Sequence, residues 1–186
     1  MTLEERVQRL EDIEAIRYLQ AKYQRCLDCR DFDGIGECFD IDVKTEYCNG
    51  YMVYEGRDDA VEFLCSCMLL TMPSYHLIHG GEIDIIDSTH AKAKWYLEDY
   101  LISTLTEWDE EGTAIYNNEY IKREDGKWYI SRIGYTRCFE YRAQRTYDVS
   151  AVVNTNFLDA VRDADPSTLG KYGKLFQTEY LGKEIK

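Results

Sequence analysis

Apolar residues recur at helical spacing from the start of the chain. Leu3, Val7, Leu10, Ile13, Ile16, Leu19, Tyr23 and Leu27 fall on one stripe, because residues three and four apart share a helix face. The stripe predicts a long first helix reaching about Arg30. Asp31 then stands where an N-cap belongs, ahead of a short second helix in "FDGIGECF" that closes before Asp40. "VKTEYCNGYMVYEG" sets Asn49-Gly50 between β-prone runs, which predicts a hairpin. "GRDDAVEFLCSCMLL" reads as a third helix with acids in its first turn, where the helix dipole favours them, and Pro73 marks its end.

From Ser74 to Tyr141 the pattern changes to that of strands: "SYHLIHGGEIDII", "AKAKWYLEDYLIST", "TAIYNNEYIKRE" and "KWYISRIGYTRCFEY". Asp125-Gly126 supplies a second hairpin turn, and Gly80-Gly81 predicts a bulge or bend. Helices followed by a meander of long antiparallel strands form an α+β layout, in which the sheet curls over the helices and leaves a hollow between them. The polar, weakly periodic segment 149–186 predicts an extension that packs on the 1–148 domain, on the pocket mouth or on a neighbouring subunit.

Composition narrows the partners. A chain of 186 residues, 45% hydrophobic, buries one sizeable core. Its net charge of −13 argues against a nucleic-acid backbone or an anionic membrane surface, both of which would repel it. The acidic, amphipathic "MTLEERVQRLEDIEAI" has no apolar core of a signal peptide, and no run is long enough to span a bilayer, so a soluble cytoplasmic protein is expected. The seven cysteines suit a reducing compartment better than a disulfide framework. Cys26 and Cys29 form a C-x-x-C without a second pair at zinc-ribbon spacing, so the cysteines are read as small core hydrophobes and no metal is expected.

Two ionised groups break the strand pattern. In "KWYLEDYLI", alternation puts Ala91, Ala93, Trp95, Leu97, Asp99 and Leu101 on one face, so Asp99 is a carboxylate in an apolar row and needs a partner. In the last strand Tyr129, Ser131, Ile133, Tyr135, Arg137, Phe139 and Tyr141 share a face on the same count, which makes Arg137 the candidate partner. A guanidinium can grip a carboxylate through two parallel hydrogen bonds. The pair reads equally as a fixer of strand register and as part of a site. His76 and His79 fall on opposite faces, and periodicity does not choose between them. Tyr23 belongs to the helix stripe, whereas Asp28 lies about 140° further round and reads by default as a solvated residue.

Taken in order, "MTLEERV", "DIEAI", "KYQRCLD", "YHLIHGGEI", "WYLED", "GTAIY" and "DGKWYISRIGYTR" resemble segments of the SnoaL-like, or nuclear-transport-factor-2-like, superfamily, and in particular its bile-acid 7-alpha-dehydratase branch. The resemblance spans Met1 to Tyr141 and is weak through Tyr51 to Ser74. It implies a cone-shaped α+β barrel with functional residues at Tyr23, Asp28, His76, Asp99 and Arg137; it thus selects His76 over His79 and pairs it with Asp28. It further implies a cofactor-independent hydro-lyase that removes water from a hydroxylated 3-oxo-Δ4 steroid or bile acid. The substrate would be a small apolar polycycle, free or as a coenzyme A conjugate, and the assembly a homotrimer. "LTEWDEEG" and the chain after Asp148 depart from the branch, which bears on the substrate more than on the chemistry. A ketosteroid-isomerase-like activity, with the histidine idle, and a non-catalytic binding module on the same fold are the alternatives.

Overall fold

The computed structural model describes residues 1–68, 72–103 and 107–148; the proposed extension 149–186 lies outside them. Helix α1 (Leu3–Asp28) opens on a capping box, in which the Thr2 hydroxyl accepts from the Glu5 amide and the Glu5 carboxylate accepts from the Thr2 amide. It ends two residues before the expected position, and Arg30 adopts the left-handed conformation with φ of 57°, which turns the chain into α2 (Phe32–Cys38). Asp31 caps α2 as expected, its carboxylate accepting from the Gly34 amide at 2.9 Å.

Strands β1 (Phe39–Tyr47) and β2 (Met52–Glu55) form the expected hairpin. Asn49 and Gly50 both take positive φ at its turn. Helix α3 (Arg57–Cys67) follows, then β3 (Ser74–Ile85), β4 (His90–Ile102), β5 (Trp108–Lys122) and β6 (Trp128–Gln144). The six strands make one open sheet in the order β2-β1-β6-β5-β4-β3. Every neighbouring pair is antiparallel except β1 and β6, which run parallel, an exception the meander pattern does not announce. The α+β cone architecture is present, with α1 laid across the inner face of the sheet.

The core gathers Ile16, Leu19, Tyr23 and Leu27 of α1, Ile35 and Phe39, Val61 and Leu64 of α3, and the inner sheet row Ala91, Ala93, Trp95 and Leu97. Burying such apolar area is the main favourable term in folding. The first turns of α1 do not share in it. Leu3, Val7 and Leu10 of the expected stripe are exposed in the single chain. Cys26, Cys38 and Cys65 are buried, and burial raises the Cys26 and Cys38 thiols to about 11 and about 12. These three behave as core atoms, whereas Cys29 and Cys138 are exposed and Cys48 and Cys67 half-buried, so the reading of all the cysteines as core hydrophobes does not hold: Cys29 follows the end of α1 and Cys138 is the extra residue of a β6 bulge.

Bulges set which side chains face inward. In β3 the register slips between His79 and Gly81, so His76 and Ile78 before the slip share the inner face with Gly81, Ile83 and Ile85 after it. Gly80 has φ of 53°, and a Cβ on Gly81 would lie 2.4 Å from the Trp95 ring. Glycine is required at both, for conformation at the first and for space at the second. In β6, Glu119 and Tyr120 of β5 pair with Arg132 and Ile130, while Thr113 and Ala114 pair with Phe139 and Arg137. Each step inserts one extra residue in β6. The single row expected from Tyr129 to Tyr141 is therefore broken: only Ile133, Tyr135 and Arg137 keep one face, Trp128 and Ile130 take the inner positions before them, and Phe139 and Tyr141 turn outward and are exposed.

Candidate active site

The end of α1 and the start of β3 build the first half of the site. Asp28, the last helical residue, accepts three hydrogen bonds there: from the His76 backbone amide at 2.8 Å, from the Ser74 hydroxyl at 3.1 Å, and from His76 Nδ1 at 2.7 Å. A carboxylate only accepts, so the proton of the neutral imidazole lies on Nδ1 and the lone pair on Nε2. Nε2 has no hydrogen-bond partner among the described residues. Arg30 braces this corner. Its guanidinium donates to the carbonyls of Leu27, Asp28 and Met72 and to the Ser74 hydroxyl, tying the carbonyl-rich end of α1 to the first residues of β3.

The second half lies directly across the ladder, where His76 is the register partner of Asp99. Asp99 is 3% exposed, and Arg137 holds both of its oxygens, at 2.5 and 2.7 Å. This is the two-bond grip expected from the sequence. The guanidinium also lies 4.9 Å from the centre of the Tyr135 ring and pairs with Glu140 at 3.1 Å. Burial opposes the charge on Arg137, but the Asp99 bonds outweigh it and raise the guanidinium above its ordinary range. Gly112 faces Asp99 across β4 and β5. A Cβ there would lie 2.9 Å from the Phe139 carbonyl oxygen and 3.0 Å from Arg137 Nη1, so glycine leaves room for the ion pair.

Tyrosines close the floor. Tyr23 is fully buried, and its hydroxyl lies 3.0 Å from that of Tyr47. Burial, reinforced by the neighbouring phenols of Tyr47 and Tyr116, pushes Tyr23 well above the usual tyrosine range, so it stays protonated and able to donate. Tyr116 packs edge-on against Tyr135 at 5.6 Å, and its hydroxyl feels the charges of Asp99, Arg137 and Asp28. Through Tyr116 the chain of neighbours closes on itself: Tyr23, Tyr116, the Asp99–Arg137 pair and the Asp28–His76 pair.

All five residues singled out in the sequence are thus brought together on the inner face. Tyr23 and Asp28 both point inward despite their angular separation, because Asp28 stands where the helix stops. His79 points outward, 3.3 Å from Glu98. Sequence reasoning missed Arg30, Ser74, Tyr47, Gly112 and Tyr116. The inward phase of Tyr116 was legible in the alternation Ala114, Tyr116, Asn118, Tyr120, whereas nothing local marks Arg30 or Ser74. Two clefts, of about 610 Å³ on the outer sheet face and about 1020 Å³ between α1 and the β5–β6 hairpin, contain none of the five. No helix among the described residues is long and apolar enough to cross a membrane.

Comparison with known proteins agrees with this architecture. The structure resembles a candidate scytalone dehydratase of Novosphingobium aromaticivorans, with a TM-score of 0.66 and 17% identity over 78% of this chain and 98% of that one. It also resembles the hexachlorocyclohexane dehydrochlorinase LinA type 2, with a TM-score of 0.68 and 17% identity over 76% of this chain and 95% of that one. ActVI-ORFA of Streptomyces coelicolor matches with a TM-score of 0.59 and 13% identity over 68% and 96% of the two chains. At such identities the likeness is one of fold. The model of the SnoaL-like domain matches residues 8–134, and the chain belongs to the SnoaL-like domain family.

Proposed function

We propose that the protein is a carbon–oxygen lyase that removes water from a hydroxylated 3-oxo-Δ4 steroid or bile-acid derivative, free or as a coenzyme A conjugate, by acid–base catalysis. The observation that carries this reading is the Asp28–His76 pair set opposite a carboxylate already neutralised by Arg137, beside a buried phenol. His76 Nε2 takes the acidic proton from the ring carbon vinylogous to the carbonyl, and Asp28 steadies the imidazolium. The electron pair moves through the conjugated system to the carbonyl oxygen, where the Tyr23 hydroxyl donates to the growing charge. The Tyr23–Tyr47 hydroxyl bond can run in either direction, and this role requires Tyr23 to turn its hydrogen from Tyr47 to the carbonyl while accepting from Tyr47. The pair then returns, the carbon–oxygen bond to the neighbouring hydroxyl breaks, and the imidazolium protonates the leaving group. Water departs and a dienone remains.

Asp99 serves poorly as the base in this scheme, because Arg137 occupies both of its oxygens. That weighs against the isomerase reading, which needs a free carboxylate to shuttle the proton. The Asp99–Arg137 pair instead forms a polar wall against which the substrate is positioned. A binding module would have no use for a histidine with its tautomer fixed and its second nitrogen open. The homotrimer belongs to the same reading and is supported by Leu77, Tyr96 and Phe139, exposed on the outer sheet face; sedimentation of the full chain tests it.

The decisive experiment offers the protein 3-oxo-Δ4 steroids and bile acids hydroxylated at different ring positions and follows the red-shifted absorbance of the dienone. Dehydration of at least one, lost in His76→Ala, is the expected result. Double-bond migration without loss of water would favour the isomerase, and binding with no product in any case the non-catalytic module.

A further inference from the structure

Gln24 is 4% exposed, and neither its amide oxygen nor its amide nitrogen has a hydrogen-bond partner among the described residues. A buried carboxamide left unbonded is destabilising, and an isosteric apolar side chain would not be. Its position is as informative as its isolation. Gln24 lies one helical turn before Asp28 on α1, on the same face, and its amide acts on the Tyr116 hydroxyl as a weak donor without the geometry of a full hydrogen bond; that hydroxyl also feels the charges of Asp28, Asp99 and Arg137. One turn earlier, Gln20 is held through its oxygen, which accepts from Asn118 Nδ2 at 2.9 Å and from the Tyr120 hydroxyl at 2.6 Å; only its amide nitrogen lacks a partner among the described residues, whereas at Gln24 both ends do.

We propose that Gln24 determines specificity by binding a neutral oxygen of the ligand, a hydroxyl or keto group distinct from the enone carbonyl and from the hydroxyl that leaves. A carboxamide both donates and accepts, so it can read either group. Asp28 and Asp99 close by, on a chain of net charge −13, disfavour a carboxylate or phosphate at this point. The substrate is then a polycyclic enone carrying at least one further oxygen, rather than a bare hydrocarbon skeleton.

This inference rests on the proposed substrate class, and its test separates the two. Binding of 3-oxo-Δ4 steroids with one added hydroxyl at different ring carbons, each against its parent without that hydroxyl, is read by tryptophan fluorescence for the wild type, Gln24→Leu and Gln24→Asn. The expected result is a preference of about tenfold or more for at least one hydroxylated probe, lost in Gln24→Leu and partly kept in Gln24→Asn. Without ligand, Gln24→Leu should melt about 2–4 °C higher than the wild type. A structural hydrogen-bonding role predicts a lower melting temperature. Absence of any preference in the wild type, an unchanged preference in Gln24→Leu, or a lowered melting temperature would overturn the proposal. Gln24-dependent binding without dienone formation would sink the dehydratase reading alone, and dienone formation indifferent to Gln24 would sink this inference alone.

Discussion

Gln20 and Gln24 are the same residue type on the same face of the same helix, one turn apart, and the protein treats them differently. Around Gln20 most polar groups are tied to one another: Tyr120 accepts from Trp95 Nε1 at 2.9 Å and donates to the Gln20 oxygen, and only the Gln20 amide nitrogen is left without a partner among the described residues. Nearby, Asp12 accepts from Trp128 Nε1 at 2.9 Å and from Lys122 at 2.8 Å. Around Gln24 the geometry is equally defined but more valences stay open: both ends of the Gln24 amide and His76 Nε2 have no partner among the described residues. Buried polar groups are normally satisfied, so the surroundings of Gln20 read mainly as structure and those of Gln24 as a place prepared for something else. One turn of one helix thus separates a scaffold from a site.

The comparison can be broken most directly through His76. In His76→Ala, turnover should fall by about 10²–10⁴-fold while the circular dichroism spectrum and melting temperature stay close to wild type. A near-native rate in the folded variant would end the assignment. Arg137 asks whether the open end also carries structural weight. Arg137→Met leaves Asp99 buried and unpaired, and should lower the unfolding free energy in urea by about 3–5 kcal/mol, most of which the double variant with Asp99→Leu should recover. A double variant that regains stability but not activity would separate the two roles of the pair.

Smaller effects sharpen the contrast. Gln20→Leu strands the Tyr120 hydroxyl and the Asn118 amide, and should cost about 1–3 kcal/mol in denaturant unfolding, the opposite sign to that expected at Gln24. The acid limb of stability supplies the last test. For Asp12, burial works to raise the carboxyl, but the bonds from Lys122 and Trp128 outweigh it and hold it below the usual range; Asp40, gripped by Arg123, behaves likewise. A folded value below the unfolded one means that the stability is fully present above the ordinary aspartate value of about 3.9 and is lost as pH falls through the lower folded value. Melting temperatures should therefore decline below about pH 4, and less steeply in Asp12→Asn.

Much of the fold was legible because its signals are local. Asp31 as a cap, Asn49-Gly50 and Asp125-Gly126 as turns, and the inward row of β4 each follow from a few neighbouring residues. The candidate site was legible only in part. Asp99 and Arg137 announced themselves as charges in apolar rows, but Asp28 looked solvated. The structure shows why: its three donors all lie on β3, far along the chain, and at the helix end its direction is no longer set by the stripe.

What the sequence determined by itself was the set of elements and, in β4, the face of each residue, since a period of two or 3.6 is a property of the chain alone. What only the tertiary structure decided was parity and company. One extra residue at Gly80 and two in β6 switch which side chains point inward, and the choice between the histidines, which periodicity left open and the family resemblance gave to His76, is made physically where β3 meets β4. Bulges arise from how strands of unequal count are fitted over a common core, and hydrogen bonds between residues tens of positions apart depend on that fit. The face of His76 and the open valence of Gln24 are therefore outcomes of packing.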